Sequence, residues 1–237
     1  MSLAAAKPLC DPVLINIGVT HGFGLRGSQV PEFTAFPRQV HGRSVAEAAL
    51  WAPAEAPNAD AILSGSIALS VGIVTADCIP ILAATSDGRH VAAIHAGWRG
   101  LADGVIEAGL SALRDVGESS ELIVAMGPGA RACCYEIDET VRVALGVSYS
   151  KELDLNVLTS TAAGHFQLDL ARLATRVVEK FGVDSAQVGT AHRVCTICDP
   201  TRFESYRRDG ETAGRLRHFI APRVPDRVRV DSPEGSP

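Results

Sequence analysis

Apolar residues recur at every second position through Ile67, Leu69, Val71 and Ile73, a period of two that predicts a strand with one buried face. That strand leads to Asp77 and Cys78. A further apolar run over residues 79–83, the turn Ser86-Asp87-Gly88-Arg89 and a second apolar run over 91–94 predict a hairpin that carries Cys78 toward His95. Beyond Gly100, the residues Leu101, Val105, Ala108 and Ala112 fall at helical spacing, and residues 121–126 return as a strand before Gly127-Pro128-Gly129. A second helix is predicted over 167–181, with Leu168, Leu173, Val177 and Phe181 on one face and Gly182 as its stop. Upstream, residues 13–19 read as a strand and His21-Gly22-Phe23-Gly24 as its turn. Strands and helices mix without strict βαβ alternation, so the expected class is a layered α+β domain. One domain is expected over 12–222, with loose ends over 1–11 and 223–237.

Bulk composition narrows the functional classes. The chain has 237 residues, 46% of them hydrophobic and 21% charged, which allows one large core. Its net charge of -5 and lack of a basic block argue against nucleic acid as a partner. No uninterrupted apolar run reaches the roughly 18 residues of a membrane span, and the first residues lack a secretory leader, so the expectation is a cytoplasmic protein with no membrane partner. The 6 cysteines could be read as three disulfides, but adjacent Cys133 and Cys134 in a chain of this size favour reduced thiols.

Cys78 and His95 at neighbouring strand ends, with His41 in Gln39-Val40-His41-Gly42 as a third donor, form a candidate three-ligand metal set. Two imidazoles and one thiolate suit zinc and leave a fourth position open, the arrangement of a catalytic ion. Their spacing satisfies no local zinc motif. Taken singly, a buried cysteine is usually a small core residue and a histidine beside glycine usually belongs to a turn.

Six separated segments change that weighing: Gln39-Val-His-Gly42, Thr75-Ala-Asp-Cys78, His95-Ala-Gly-Trp-Arg-Gly100, Gly127-Pro128 with Cys133-Cys-Tyr-Glu-Ile137, Cys195-Thr196, and Ser205-Tyr-Arg-Arg-Asp-Gly210 with Gly214-Arg215. In this order the chain resembles the bacterial YfiH and YlmD family, once called laccase-domain or multicopper polyphenol oxidoreductases. The resemblance implies a layered α/β/β/α arrangement of mixed β-sheets with outer helices, and zinc held by the residues matching His41, Cys78 and His95. It also implies phosphorolysis of adenosine, inosine, guanosine and methylthioadenosine with inorganic phosphate, together with adenosine deamination. The chain departs from the family after Arg26, where the usual glycine pair and asparagine-containing segment are missing or replaced, and if that segment shapes the substrate pocket, substrate range is the property this affects. Arg131 also stands where the family has a small residue.

Deamination needs a carboxylate to move protons, and Asp77 is the nearest in sequence, although strand neighbours point to opposite faces and Asp77 could bind a backbone amide or Arg99 instead. Phosphorolysis needs guanidinium forks for phosphate. Arg99 and Arg208 are the catalytic candidates, and Arg26, Tyr206 and Arg215 the substrate-binding ones; Arg207 is a further phosphate candidate, and Tyr135, Trp98 or Phe203 could stack on a purine. Three other readings use the same residues. Copper held by the His₂Cys set with axial Met126 would give an oxidase, yet the 7 histidines include no His-x-His pair. Cys78 as nucleophile with His95 as base would give a metal-free hydrolase, a reading that also accommodates the peptidoglycan-editing role attached to relatives. A zinc-stabilised binding protein is the non-enzymatic reading, and Cys195-x-x-Cys198 could be half a zinc knuckle or a redox pair.

Overall fold

The computed structural model describes residues 6–49, 51–52, 54–117, 121–190 and 193–224. In chain order its elements are α1 (Pro12–Asn16), β1 (Thr20–Gly22), β2 (Thr34–Ala35), β3 (Val45–Glu47), β4 (Ala61–Ser64), β5 (Ser70–Thr75), β6 (Ile79–Thr85), β7 (Val91–Ala96), α2 (Trp98–Asp103), α3 (Val105–Val116), β8 (Leu122–Met126), β9 (Glu136–Asp138), α4 (Glu139–Tyr149), β10 (Leu158–Ala162), β11 (His165–Leu168), α5 (Leu170–Lys180), β12 (Val188–Gly189), α6 (Tyr206–Asp209) and β13 (Leu216–Ala221).

Strand β6 is buried along its whole length because both of its faces carry apolar side chains. Ile79, Ile81 and Ala83 face a core shared with α3, α4 and α5, whereas Leu82 and Ala84 face a second core. The strand therefore reads as one continuous apolar run, as expected of a strand covered on both sides. It lies near the middle of a mixed six-stranded sheet ordered β12-β8-β6-β7-β4-β3. The second core is closed by a four-stranded sheet, β1-β13-β5-β2, whose Val71, Ile73 and Ile220 meet Leu82 and Ala93 of the first sheet. A third, antiparallel sheet, β10-β11-β9, stands apart. The α+β class with mixed sheets holds.

Several boundaries differ from the sequence pattern, each for a local reason. Residues 12–16 form a helix and not a strand, because the Asp11 carboxylate accepts the Val13 N–H as an N-cap and Pro12 occupies the first turn. The first strand is Thr20–Gly22, overlapping the expected turn, and it pairs with β13. Helical spacing from Leu101 to Ala112 is divided between α2 and α3 at Gly104, whose φ of 88° only glycine adopts freely. The predicted helix over 167–181 starts at Leu170, where the Asp169 side chain accepts the Arg172 N–H, and Leu168 ends a strand. Of the loose leader expected over 1–11, residues 1–5 lie outside the described residues, whereas Leu9 exchanges backbone hydrogen bonds with Phe23 and Asp11 is buried. The expected tail lies outside them from residue 225 onward. Among the described residues, no helix is long and apolar enough to cross a membrane.

His218 of β13 is fully buried; its Nδ1 accepts the Gly24 N–H at 3.1 Å, so Nε2 carries the proton and donates to the Thr75 hydroxyl at 2.8 Å. Burial pushes its pKa down to about 3 from the ordinary 6.5. Below pH 6.5 the unfolded chain takes up a proton that the folded chain refuses, so this contribution to stability is complete above 6.5 and falls as pH drops toward 3. The loss reaches about 2 kcal/mol at pH 5. Urea unfolding at pH 7 and pH 5 should show a markedly smaller acid loss in His218→Gln than in the unmodified protein; an equal loss would remove His218 from the account.

Candidate metal centre

The chain leaves the four-stranded sheet at Thr75 and enters the six-stranded sheet at Ile79, so Ala76, Asp77 and Cys78 cross between sheets. Asp77 makes the corner with a φ of 91°, a conformation that costs a non-glycine residue about 1–3 kcal/mol. Three hydrogen bonds to its carboxylate hold it there: from the Thr196 hydroxyl at 2.6 Å, the Ser205 hydroxyl at 3.0 Å and the Arg207 N–H at 2.7 Å. Cys78 is thereby presented at the junction. His95 approaches from β7, opposite Pro80 of β6.

The third donor arrives on a loop folded around a single carboxylate. Asp60 is fully buried at the entrance of β4, where it accepts the N–H groups of Val40 (3.1 Å), His41 (3.0 Å) and Gly42 (2.8 Å). Its Oδ1 also accepts from His95 Nδ1 at 2.7 Å. One side chain thus shapes the His41 loop and sets the tautomer of His95, leaving Nε2 as the free lone pair, the usual carboxylate support of a metal-bound histidine. Gln39 ties the same loop to β5 by donating to the Val74 carbonyl at 2.8 Å and accepting its N–H at 2.7 Å.

The donor atoms of His41, Cys78 and His95 all lie within 4.8 Å of one another, and the two imidazole rings meet edge to face at 4.9 Å. Burial pushes the Cys78 thiol up, but the charges and hydrogen bonds of His95 and His41 outweigh it and bring the thiol down to about 6. Burial alone would lower His95, yet Cys78 and Asp60 raise it to about 9. Asp60 is held below the ordinary carboxylate range, since the His95 and backbone hydrogen bonds overcome its burial. A thiolate, two imidazoles and a supporting carboxylate fit a single divalent ion with one open position.

Gly97 closes the floor of the site. A Cβ there would lie 2.8 Å from Cys78 Sγ and 3.2 Å from His41 Cδ2. Its φ of -78° suits any residue, so Gly97→Ala tests the contact and not the backbone. We expect metal affinity, measured by competition with a chromophoric chelator, to fall about tenfold or more while the fold is kept.

The three donors open into a cavity of about 550 Å³. Trp98 and Tyr135 line it, each with a guanidinium over its ring: Arg99 at 4.4 Å and Arg207 at 4.8 Å. Arg215 and Tyr206 complete the mouth. Among the described residues, no carboxylate forms an ion pair with Arg99, Arg207 or Arg215. Burial pushes the Tyr135 phenol up to about 12, so its hydroxyl keeps its proton.

Other candidates have different placements. Arg26 donates to the Phe203 carbonyl and pairs with Glu204 at 3.0 Å, and Arg208 spends its guanidinium on the carbonyls of Thr196, Ile197 and Phe203 and on Asp209. Neither lines the cavity. Asp77 lines it, but three donors already occupy its carboxylate, which makes it a positioning residue and not a free proton shuttle. Phe203 is fully buried in the protein interior, and Met126 is core, its sulfur accepting the Thr175 hydroxyl at 3.3 Å. Residues 27–37, the segment expected to affect substrate range, do not line the cavity. Arg131 pairs with Asp169 at 2.7 Å and donates to the Arg193 carbonyl. Asp60 escaped the sequence reading, because one acidic residue at the entrance of an apolar strand carries no spacing signal.

A family model described as multi-copper polyphenol oxidoreductase laccase matches residues 24–223. A protein of Pseudomonas aeruginosa named purine nucleoside phosphorylase is 38% identical over 182 residues, covering 77% of this chain and 71% of its own. Purine nucleoside phosphorylase YfiH of Escherichia coli is 31% identical over 191 residues, covering 81% and 74%. The crystal structure of YlmD from Geobacillus stearothermophilus superposes with a TM-score of 0.81 over 94% of this chain and 99% of that one at 23% identity, a likeness of fold. The chain belongs to the laccase-domain family of YfiH and YlmD.

Proposed function

We propose that this protein is a zinc-dependent purine nucleoside phosphorylase, cleaving adenosine, inosine, guanosine and methylthioadenosine to free base and sugar 1-phosphate, with adenosine deamination as a second activity. The observation that carries the proposal is the convergence of His41, Cys78 and His95 on one wall of a cavity whose other walls supply aromatic faces and guanidiniums that, among the described residues, have no carboxylate partner. The names of the relatives supply the reaction class. Zinc bound there supplies a Lewis acid with one position open to an oxygen ligand. Trp98 and Tyr135 offer surfaces on which a purine stacks, and the Tyr135 hydroxyl is a donor toward it. Arg99, Arg207 and Arg215 provide the positive field that inorganic phosphate needs as it approaches the anomeric carbon and the base departs. Asp77 keeps Arg207 and Cys78 in register on the same wall.

One observation favours a second reading. A thiol brought down to about 6 beside an imidazole raised to about 9 is also the pair of a cysteine nucleophile. Chromatography of adenosine, inosine and methylthioadenosine reactions, with and without phosphate, tests the proposal. Phosphate-dependent release of free base is expected, with inosine and ammonia formed from adenosine. No product from any nucleoside would overturn it, as would stoichiometric copper with turnover of phenols.

A further inference from the structure

We propose that Cys133, Cys134, Cys195 and Cys198 form a second metal site, a closed tetrathiolate centre for one zinc ion that is structural and not catalytic. The sequence shows only Cys195-x-x-Cys198, half of such a site. The fold supplies the other half. Gly129 and Cys195 form a parallel bridge, with the Thr196 N–H donating to the Gly129 carbonyl and the Gly129 N–H to the Val194 carbonyl, each at 3.2 Å. This lays the turn at Arg131–Cys134, closed by the Cys134 N–H on the Arg131 carbonyl at 3.0 Å, against the turn that carries Cys195 and Cys198.

The four sulfurs lie within 4.8 Å of one another, and all four cysteines are free thiols. Four thiolates at the usual zinc–sulfur distance of about 2.3 Å stand about 3.8 Å apart at the corners of a tetrahedron. The cluster therefore has the dimensions of a single ion, whereas a multi-iron cluster would hold its thiolates farther apart. Cys198 Sγ is 3.1 Å from Cys134 Sγ and 3.4 Å from Cys133 Sγ, so it is shared between two partners and not committed to one. Arg208, itself paired with Asp209, donates to the carbonyls of Thr196 and Ile197, the residues between Cys195 and Cys198, and so fixes the loop that carries them. With four protein ligands there is no open position, the mark of a structural site.

The placement gives the ion its task. Thr196 holds Asp77, the neighbour of Cys78, and Tyr135 follows Cys134 directly into the cavity wall. An ion joining the two turns fixes both of these residues relative to the first centre. The site stands independently of what occupies that centre.

The test counts zinc in protein purified under reductant from zinc-supplemented growth. His41→Ala/Cys78→Ala is expected to retain about one zinc per chain, with an X-ray absorption first shell of sulfur alone near 2.3 Å. Cys195→Ser/Cys198→Ser should lose that equivalent. If either variant fails to fold, the unmodified protein decides: thiolate-to-cobalt charge transfer after metal exchange should match more thiolates than the single Cys78 can supply. One all-sulfur zinc in the unmodified protein would refute metal at the first centre and leave this proposal standing. A folded His41→Ala/Cys78→Ala protein without metal would overturn it, as would a disulfide between Cys198 and Cys133 or Cys134 in peptide maps of the purified protein.

Discussion

Cys78→Ala is expected to lose the zinc of the His41, Cys78 and His95 site and to reduce nucleoside phosphorolysis by about 10³-fold or more, since a catalytic ion supplies several kcal/mol of transition-state stabilisation and each 1.4 kcal/mol is tenfold in rate. Folding should be retained, because Cys78 lies at the junction of two sheets and outside both apolar cores. A cysteine nucleophile predicts the same loss in this variant, so the comparison with His41→Ala matters. His41 is exposed and would not be the base of a Cys78–His95 pair, although its hydrogen bond to Cys78 helps to lower the thiol. Metal ligation predicts comparable losses of zinc and of kcat/KM in both variants; a His41→Ala enzyme with nearly full activity would favour the thiol mechanism.

Asp60→Ala should do damage of two kinds. Removing the carboxylate leaves the N–H groups of Val40, His41 and Gly42 and the Nδ1 of His95 without their acceptor. Each buried donor left unpaired costs about 1–3 kcal/mol. A net loss of about 3 kcal/mol corresponds to roughly 6–12 °C in Tm for a chain of this size. Zinc affinity and activity should fall together by about 10–100-fold, the usual effect of losing the partner that orients a metal-bound histidine. Asp60→Asn keeps one acceptor oxygen but presents an amide to the other donors, so it should fall between the two. Calorimetry with and without saturating zinc separates the effects: part of the Tm loss should persist in both proteins without metal, because the Asp60 bonds fold the loop before any ion binds. A Tm difference that vanishes when both are metal-free would mean that Asp60 acts only through the ion.

The β6–β7 hairpin was legible because its apolar run and its Asp87-Gly88 turn are local signals, and it carries Cys78 and His95. The crossing between sheets was not. Residues 67–83 read as one region running past Cys78, whereas β5 and β6 belong to different sheets and the corner depends on Thr196 and Ser205, more than a hundred residues away. Residues 13–19 carry the branched apolar pattern of a strand, but the Asp11-Pro12 cap decides for a helix and leaves Ile15 exposed. The sheet of β9, β10 and β11 gave no alternation to read, since β10 is exposed along nearly all its length. In the site, motif matching selected His41, Cys78 and His95 and also Arg26 and Arg208, because a guanidinium paired with a carboxylate away from the cavity and one lining it look alike in a string. Asp60 becomes visible only when β4, β7 and the His41 loop are brought together.

A single ion on His41, Cys78 and His95 is proposed to support phosphorolysis in this cavity. The most direct measurement is phosphate-dependent release of free base by protein stripped of metal and then reloaded with zinc. The stripped protein should release no base and should recover on adding zinc, with recovery absent in Cys78→Ala. Base release that continues after complete metal removal would contradict it.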